Sequence, residues 1–353
     1  MIALPQLRGR LPAAEREAFD RIFHLATTDG SLDPPPAMHP WIEDRLGSVD
    51  AVREQRIVKI TNQVTWEGAL FNGLRARRPI EPLARSDLDN ELASSEDGPF
   101  CHPLEGTPSD TFGRIRGAHS ITASNIAKYD GWHGLVIFDR HNPLEFTESE
   151  VVDHIETAWA WAQRAHAQDP RAVYFLLLWN GLWRGGASIL HGHLQMTLSQ
   201  GMHYAKVEAL RRAALAYQER HGTSYFEDLI RVHRALGLTI SRGTAEVLVY
   251  LTPVKEKELL LIAPEVNDDL KKSVYWALDG YLRRLGATSF NLVLYRPPVA
   301  ETEEDWSEFP AIVRLVDRGD PSDPTSDIGA MELYAASVIA SDPFEVAAVL
   351  SRP

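Results

Sequence analysis

The 353-residue chain has one cysteine, Cys101, so no intrachain disulfide can form and a reducing cytoplasm is the simplest address. It has no apolar run near the roughly 20 residues that cross a bilayer, which argues against a spanning segment. Its opening residues, MIALPQLRGRLPAAEREAFD, hold no apolar core of secretory length. Positive charge is scarce: 36 Lys and Arg stand against 49 Asp and Glu, a formal net charge of −13. That balance excludes a nucleic-acid backbone or an anionic membrane as the expected partner. No convincing internal repeat is present either. Against this acidic background a basic cluster stands out, at Arg75, Arg77 and Arg78.

What is present reads as an ordinary globular protein, 44% apolar and 24% charged, and long enough for one large or two medium domains. The proline-rich run SLDPPPAMHP (31–40) reads as an extended linker after a short N-terminal helix. Two acidic runs, 86–99 and 301–310, read as surface loops. Short apolar, β-branched or aromatic runs at 55–61, 133–139, 173–180, 245–253, 258–264 and 289–295 read as buried strands. Helices are expected from the Thr147…Glu150 capping box to about residue 167, through 203–235, from Asn267 to about Leu285, and from a second capping box at Asp342…Glu345. Several strands adjoin without a helix between them, which points to α+β with two sheet-centred halves meeting near 225–240. The expected divisions are a 1–50 extension and linker, a 51–225 domain and a 226–353 domain.

The chemistry concentrates between Asn180 and Gln195. As a strand, ILHGHLQMTLS places His191, His193 and Gln195 on one face. A neutral imidazole is a competent nucleophile near pH 7, and the phosphoramidate it forms passes its group on. A carboxamide two residues away can donate to a phosphoryl oxygen as charge builds. Gly185, Gly186 and Ser188 allow close backbone approach and offer donors to phosphate. A His-x-His pair also occurs in metal-dependent oxygenases, together with a downstream carboxylate. Residues 196–204 supply no Asp or Glu, so phosphorus chemistry is the better reading. A non-catalytic nucleotide-binding protein is the third alternative.

The spacing of Asn180, Gly186, Ser188, His191, His193 and Gln195 resembles the galactose-1-phosphate uridylyltransferase branch of the histidine-triad superfamily. VTWEGALFNGLRARRP (64–79), residues 122–150 and the closing SDIGAMELYAASVIASDPFEVAAVL extend the resemblance to about residues 55–350. It implies two histidine-triad-like halves, each an antiparallel-rich sheet with packed helices, and a homodimer with shared sites. It implies that His193 carries a nucleotidyl group, with Gln195 and His191 in supporting catalytic roles. Nucleotide and substrate contacts fall on Arg75, Arg78, Asn125, Asn180, Gly186, Ser188, Gln195 and Glu332. The family's zinc site maps to Cys101, His141 and His191, with zinc as the one cofactor implied. Gly192 stands where uridylyltransferases have proline and Leu194 where they have glycine, and His-x-His-Leu-Gln is closer to the diadenosine tetraphosphate phosphorylase branch. The expected reaction is transfer of a nucleoside monophosphate between a nucleotide sugar and a sugar 1-phosphate. Phosphorolysis of a dinucleoside polyphosphate or nucleotide sugar is the alternative.

Overall fold

A computed structural model describes residues 1–75, 88–323 and 326–352. Its strands, in chain order, are β1 (Phe23–Ser31), β2 (Glu54–Asn62), β3 (Gly68–Phe71), β4 (Ser120–Ser124), β5 (Trp132–Phe138), β6 (Ala172–Gly181) and β7 (His193–Gln200). After these come β8 (Thr239–Arg242), β9 (Ala245–Val249), β10 (Glu256–Ala263), β11 (Phe290–Tyr295), β12 (Ala311–Asp317) and β13 (Ser337–Ile339). The fold is α+β with two antiparallel-rich sheets. The smaller runs β1-β2-β3-β13, and the larger runs β4-β5-β7-β6-β11-β12-β10-β9-β8. Only β13, which lies parallel to β3, departs from antiparallel pairing.

The expected apolar runs form β2, β5, β6, β9, β10 and β11, the last five because β-branched, aromatic and leucine side chains fill both faces of the large sheet, and β2 because Val58 and Ile60 alternate with exposed Lys59. Other strands were not legible from pattern alone, β1, β4 and β12 among them. β1 is largely polar and mostly exposed, β4 is a short SITAS, and β12 follows directly on the acidic loop. The helix Glu148–Gln168 opens on a complete Thr147/Glu150 capping box. Asn267 caps the helix Asp268–Arg283 through the Leu270 N–H. Asp342 caps Pro343–Leu350 through the Phe344 N–H at 3.0 Å, in place of the reciprocal box its sequence suggests. The 203–235 region divides at Gly222 into Ala205–His221 and Tyr225–Ala235. No described helix is long and apolar enough to cross a membrane.

The large sheet contains a repeat that the sequence conceals. The order β4, β5, helix Glu148–Gln168, β6, β7 recurs as β9, β10, helix Asp268–Arg283, β11, β12. The two units meet edge to edge where β6 pairs antiparallel with β11, from Phe290 opposite Gly181 to Leu294 opposite Leu177. Their helices lie side by side, joined by the Lys271–Glu156 ion pair at 2.7 Å.

The small sheet is pinned to the second half through Asn62, which is fully buried at the end of β2. Its Nδ2 donates to the hydroxyls of Tyr225 at 2.8 Å and Tyr250 at 3.0 Å. Its Oδ1 accepts from the amides of Val64 and Thr65, which turns the chain toward β3. Replacing this carboxamide with a hydrocarbon strands several buried polar groups at once. Asn62→Leu is therefore expected to lower stability by about 3 kcal/mol, read as a lower urea midpoint; a midpoint within error of the parent would show that the turn re-satisfies itself.

Candidate active site

β7 begins at His193, two residues later than a His191–Gln195 strand requires. His191 stands before the strand, so the shared face is that of His193 and Gln195, and the two imidazoles serve different neighbours. Gly192 allows this junction, because a Cβ there would meet the Phe138 ring at 2.5 Å. Phe138, itself stacked on His154, thus occupies the space beside the position where the related motif carries proline.

The tautomer of His193 follows from one contact. Its Nδ1 lies 2.8 Å from the carbonyl oxygen of His191, which can only accept, so Nδ1 carries the proton. Nε2 is left with an unprotonated lone pair. Burial is the main force lowering the pKa of this imidazole, which keeps the ring neutral near pH 7. Phe100 stands edge-on to the ring, 5.1 Å between centroids. With Ile121, Ala123, Leu135, Ile137 and Ile189 it makes a small apolar cluster beside the histidine.

Gln195 is held by a residue that sequence reasoning missed. The amide N–H of Tyr129 donates to Nδ1 of the fully buried His133 at 2.9 Å, so His133 Nε2 carries the proton. That N–H donates to Gln195 Oε1 at 3.0 Å. The carboxamide is thereby oriented with its NH₂ uncommitted to His133 and available as a donor. Burial again lowers the His133 pKa and keeps the ring neutral. Asn125 lies beside the same ring, its Nδ2 3.2 Å from His133 Nε2, where two donors meet without a hydrogen bond, while its Oδ1 accepts from the Ala127 amide. The signal for His133 was its period-two spacing with Leu135 and Ile137, the residues opposite Gln195 and His193 on β5.

Cys101, His141 and His191 converge as a separate cluster. Cys101 Sγ lies 3.4 Å from Nδ1 of each histidine, and the two Nδ1 atoms are 3.2 Å apart. Each ring turns its other nitrogen to backbone oxygen, His191 Nε2 to Phe138 at 2.8 Å and His141 Nε2 to Leu92 at 3.0 Å. Both Nε2 atoms are therefore donors, and both Nδ1 lone pairs point at the thiol. Tetrahedral zinc with Zn–N near 2.0–2.1 Å and Zn–S near 2.3 Å needs donor separations of roughly 3.3–3.6 Å. The observed spacing fits, and carbonyl oxygens fixing the remote ring nitrogens are the usual support of such ligands.

Asn180 lies on β6 in the same sheet, its Oδ1 accepting from Asn291 Nδ2 at 2.7 Å across the β6–β11 pair. Asn291 in turn accepts from Arg318 Nη1 at 2.5 Å, so the second half of the chain supports this residue. The turn after β6 leaves Gly186 and Ser188 exposed. Gly185 sits tight against β11, where a Cβ would come 2.5 Å from the backbone oxygen of Phe290. Arg75 is exposed just after β3. Arg78 lies outside the described residues. Glu332, on the short helix Ala330–Tyr334, accepts from the Gly329 amide at 2.9 Å and so caps its own helix. The structure thus gathers Gln195 and Asn125 around His133, with His193 two residues from Gln195 on β7, and His191, His141 and Cys101 around a second centre.

No protein-family model matches the sequence, and no curated protein matches it. Solved structures do share its fold. An ADP-glucose phosphorylase from Arabidopsis thaliana, solved with bound ADP-glucose, superposes with a TM-score of 0.61 at 17% identity, covering 83% of this chain and 98% of that one. A GalT-like protein from the same plant gives 0.57 at 17% identity, over 72% and 92% of the two chains. A uridylyltransferase gives 0.55 at 14% identity, over 83% and 97%. At these identities the likeness establishes the fold, the one that the sequence resemblance implied.

The turn that leads to the histidines should be intolerant of bulk at one position and indifferent at another. Gly185→Ala forces β11 and the turn apart and is expected to cost about 2 kcal/mol. Ser188→Ala removes only an exposed hydroxyl and should leave the thermal midpoint unchanged. Equal midpoints for the two variants would contradict the close contact with Phe290.

Proposed function

We propose that the chain is a nucleotidylyltransferase working by double displacement through a nucleotidyl-His193 intermediate. The observation that carries this reading is the His193 Nδ1–H bond to the His191 carbonyl, which leaves Nε2 as a neutral nucleophile beside an oriented carboxamide. In the first half-reaction the Nε2 lone pair forms a bond to the α-phosphorus of a nucleotide donor. The phosphorus–oxygen bond to the leaving phosphate breaks, and its electron pair departs with that oxygen. In the second, an oxygen of a phosphate-bearing acceptor bonds to phosphorus and the electron pair of the P–N bond returns to Nε2. Gln195 NH₂ donates to a non-bridging oxygen as charge accumulates. Asn125 and Asn180, with the exposed Gly186–Ser188 turn, serve the nucleotide and its phosphates, and Arg75 and Arg78 add positive charge. Glu332 is assigned to the sugar.

The separation of the two imidazoles disfavours the oxygenase reading, because His191 Nδ1 faces Cys101 and His141 while His193 Nδ1 is bound to a carbonyl. A structural zinc fits the Cys101, His141 and His191 donors, where it would tie the segment before β4 and the end of β5 to the start of β7. Donors are a nucleotide sugar or a dinucleoside polyphosphate. The phosphorolytic alternative is favoured by the fold shared with the ADP-glucose phosphorylase, with inorganic phosphate as acceptor. A homodimer and a cytoplasmic setting complete the proposal.

Intact-mass analysis after mixing with a panel of nucleotide sugars and dinucleoside polyphosphates should show a gain of one nucleoside monophosphate, abolished in His193→Ala. No gain with any donor would refute the covalent route. His133→Phe should leave the adduct on His193 but slow its formation about a hundredfold, the scale of a lost oxyanion donor. An unaltered rate would mean that Gln195 orients itself. Purified protein should carry one zinc per chain by elemental analysis, and Cys101→Ala should lose it and unfold at lower temperature. Equal metal content in the two proteins would remove Cys101 from the ligand set.

A further inference from the structure

The large sheet has a second face, turned away from Gln195. Residues directly opposed in an antiparallel sheet share a face, and successive residues of a strand alternate between faces. Leu178 on β6 opposes both Gln195 on β7 and Val293 on β11. Phe175 and Leu294, an odd number of positions along those strands, therefore look out on the other side. Trp159 of the helix Glu148–Gln168 meets Phe175 edge-on there, with ring centroids 5.8 Å apart. Behind the β6–β11 seam lies a cavity of about 340 Å³, walled by Ile155, Trp159, Phe175, Val266 and Leu294. It is at the small end of the range for small-molecule sites.

Two cations line this cavity, Lys271 and Arg296, and they differ in what they bind. The Lys271 ammonium is committed to Glu156 at 2.7 Å and to Asp268 at 2.9 Å. Arg296, one residue past β11, has its guanidinium over the Trp159 ring, 3.7 Å from the ring centre. Its Nε donates to the Pro297 carbonyl at 3.1 Å. Nη1 and Nη2 have no hydrogen bond or ion pair with a described residue. Burial is the main influence on this group and lowers its pKa to about 10, with Glu265 opposing only through space. Glu156, the one carboxylate on the cavity wall among the described residues, is already held by Lys271. The cavity thus joins an apolar enclosure to a half-buried cation that lacks a counter-charge.

We infer that this cavity binds a small organic carboxylate, its head paired with Arg296 and its apolar body against Trp159, Phe175 and Leu294. A planar guanidinium edge with two uncommitted nitrogens matches the two oxygens of a carboxylate. A phosphate dianion would meet one open cation in a wall that is mostly hydrocarbon, and an uncharged ligand would leave that cation uncompensated. The ligand would touch the helix Glu148–Gln168 and β6 of the first unit and β11 of the second, on the side of the sheet away from His193. The inference is independent of the transfer chemistry.

The test is calorimetric titration of the full-length protein with octanoate and with 3-phenylpropionate, compared with 3-phenylpropanol and inorganic phosphate. Arg296→Gln removes the charge and Ala160→Trp fills the cavity from the helix; Arg171→Gln, on the exposed surface, is the control. At least one carboxylate should bind, and the alcohol should bind about tenfold more weakly, the scale of a hydrogen bond to a charged group. Both cavity variants should weaken the carboxylate by at least about the same factor, and the control should not. No binding of either carboxylate, equal binding of acid and alcohol, or binding that survives either cavity variant would overturn the inference. Inorganic phosphate displacing the carboxylate would overturn it as well. Thermal midpoints check that each variant folds. Gln163→Trp, at the exposed rim, replaces Ala160→Trp if that variant does not fold, and the acid–alcohol comparison on the parent tests the charge without Arg296→Gln.

Discussion

The pairing of β6 with β11 is the constraint on which the molecule depends. Without it the two strand–strand–helix–strand–strand units would each present an open sheet edge to solvent. With it they form one continuous surface, and side chains from both units fall into common rows across the seam. Asn180 and Asn291 are the visible result, hydrogen-bonded across the junction with Arg318 behind them. A residue of the first unit's site is therefore oriented by the second.

Much of this was legible in the sequence, and the reasons differ by element. Runs such as HGLVIF and ELLLIA announce themselves because strands covered on both faces need unbroken apolar stretches. β1 escaped because it is mostly exposed and polar, so only its nine-residue pairing with β2 defines it as a strand. The repeat escaped for another reason: its two copies share an order of elements and not a pattern of residues. Where β7 carries His193 and Gln195, the equivalent β12 carries an apolar run interrupted by Arg314.

Site residues show the same division. His191, His193 and Gln195 were legible as a group because their spacing is local. That His191 turns from the group to Cys101 and His141 depends on contacts with residues 50 and 90 positions away. His133 was marked only by its period-two place on a strand with Leu135 and Ile137, since its role exists only once β5 lies against β7 and brings it within 3.0 Å of Gln195. Distant pairing also made the cavity behind the seam, whose walls come from a helix near residue 159, a loop near 266 and strands of both units.

The hydrogen bond from His193 to the carbonyl of its own neighbour has a consequence for protons. On the double-displacement reading, Nδ1 keeps the same hydrogen before, during and after each transfer, and the positive charge on the ring is borne by a carbonyl dipole. A departing phosphate is stable as an anion and needs no proton to leave, its second pKa lying near about 6. Neither half-reaction therefore requires a general acid or base, and no described carboxylate hydrogen-bonds to His193. The chain can run this chemistry with proton traffic reduced to nothing, which separates it from histidine sites that work by shuttling hydrogen ions.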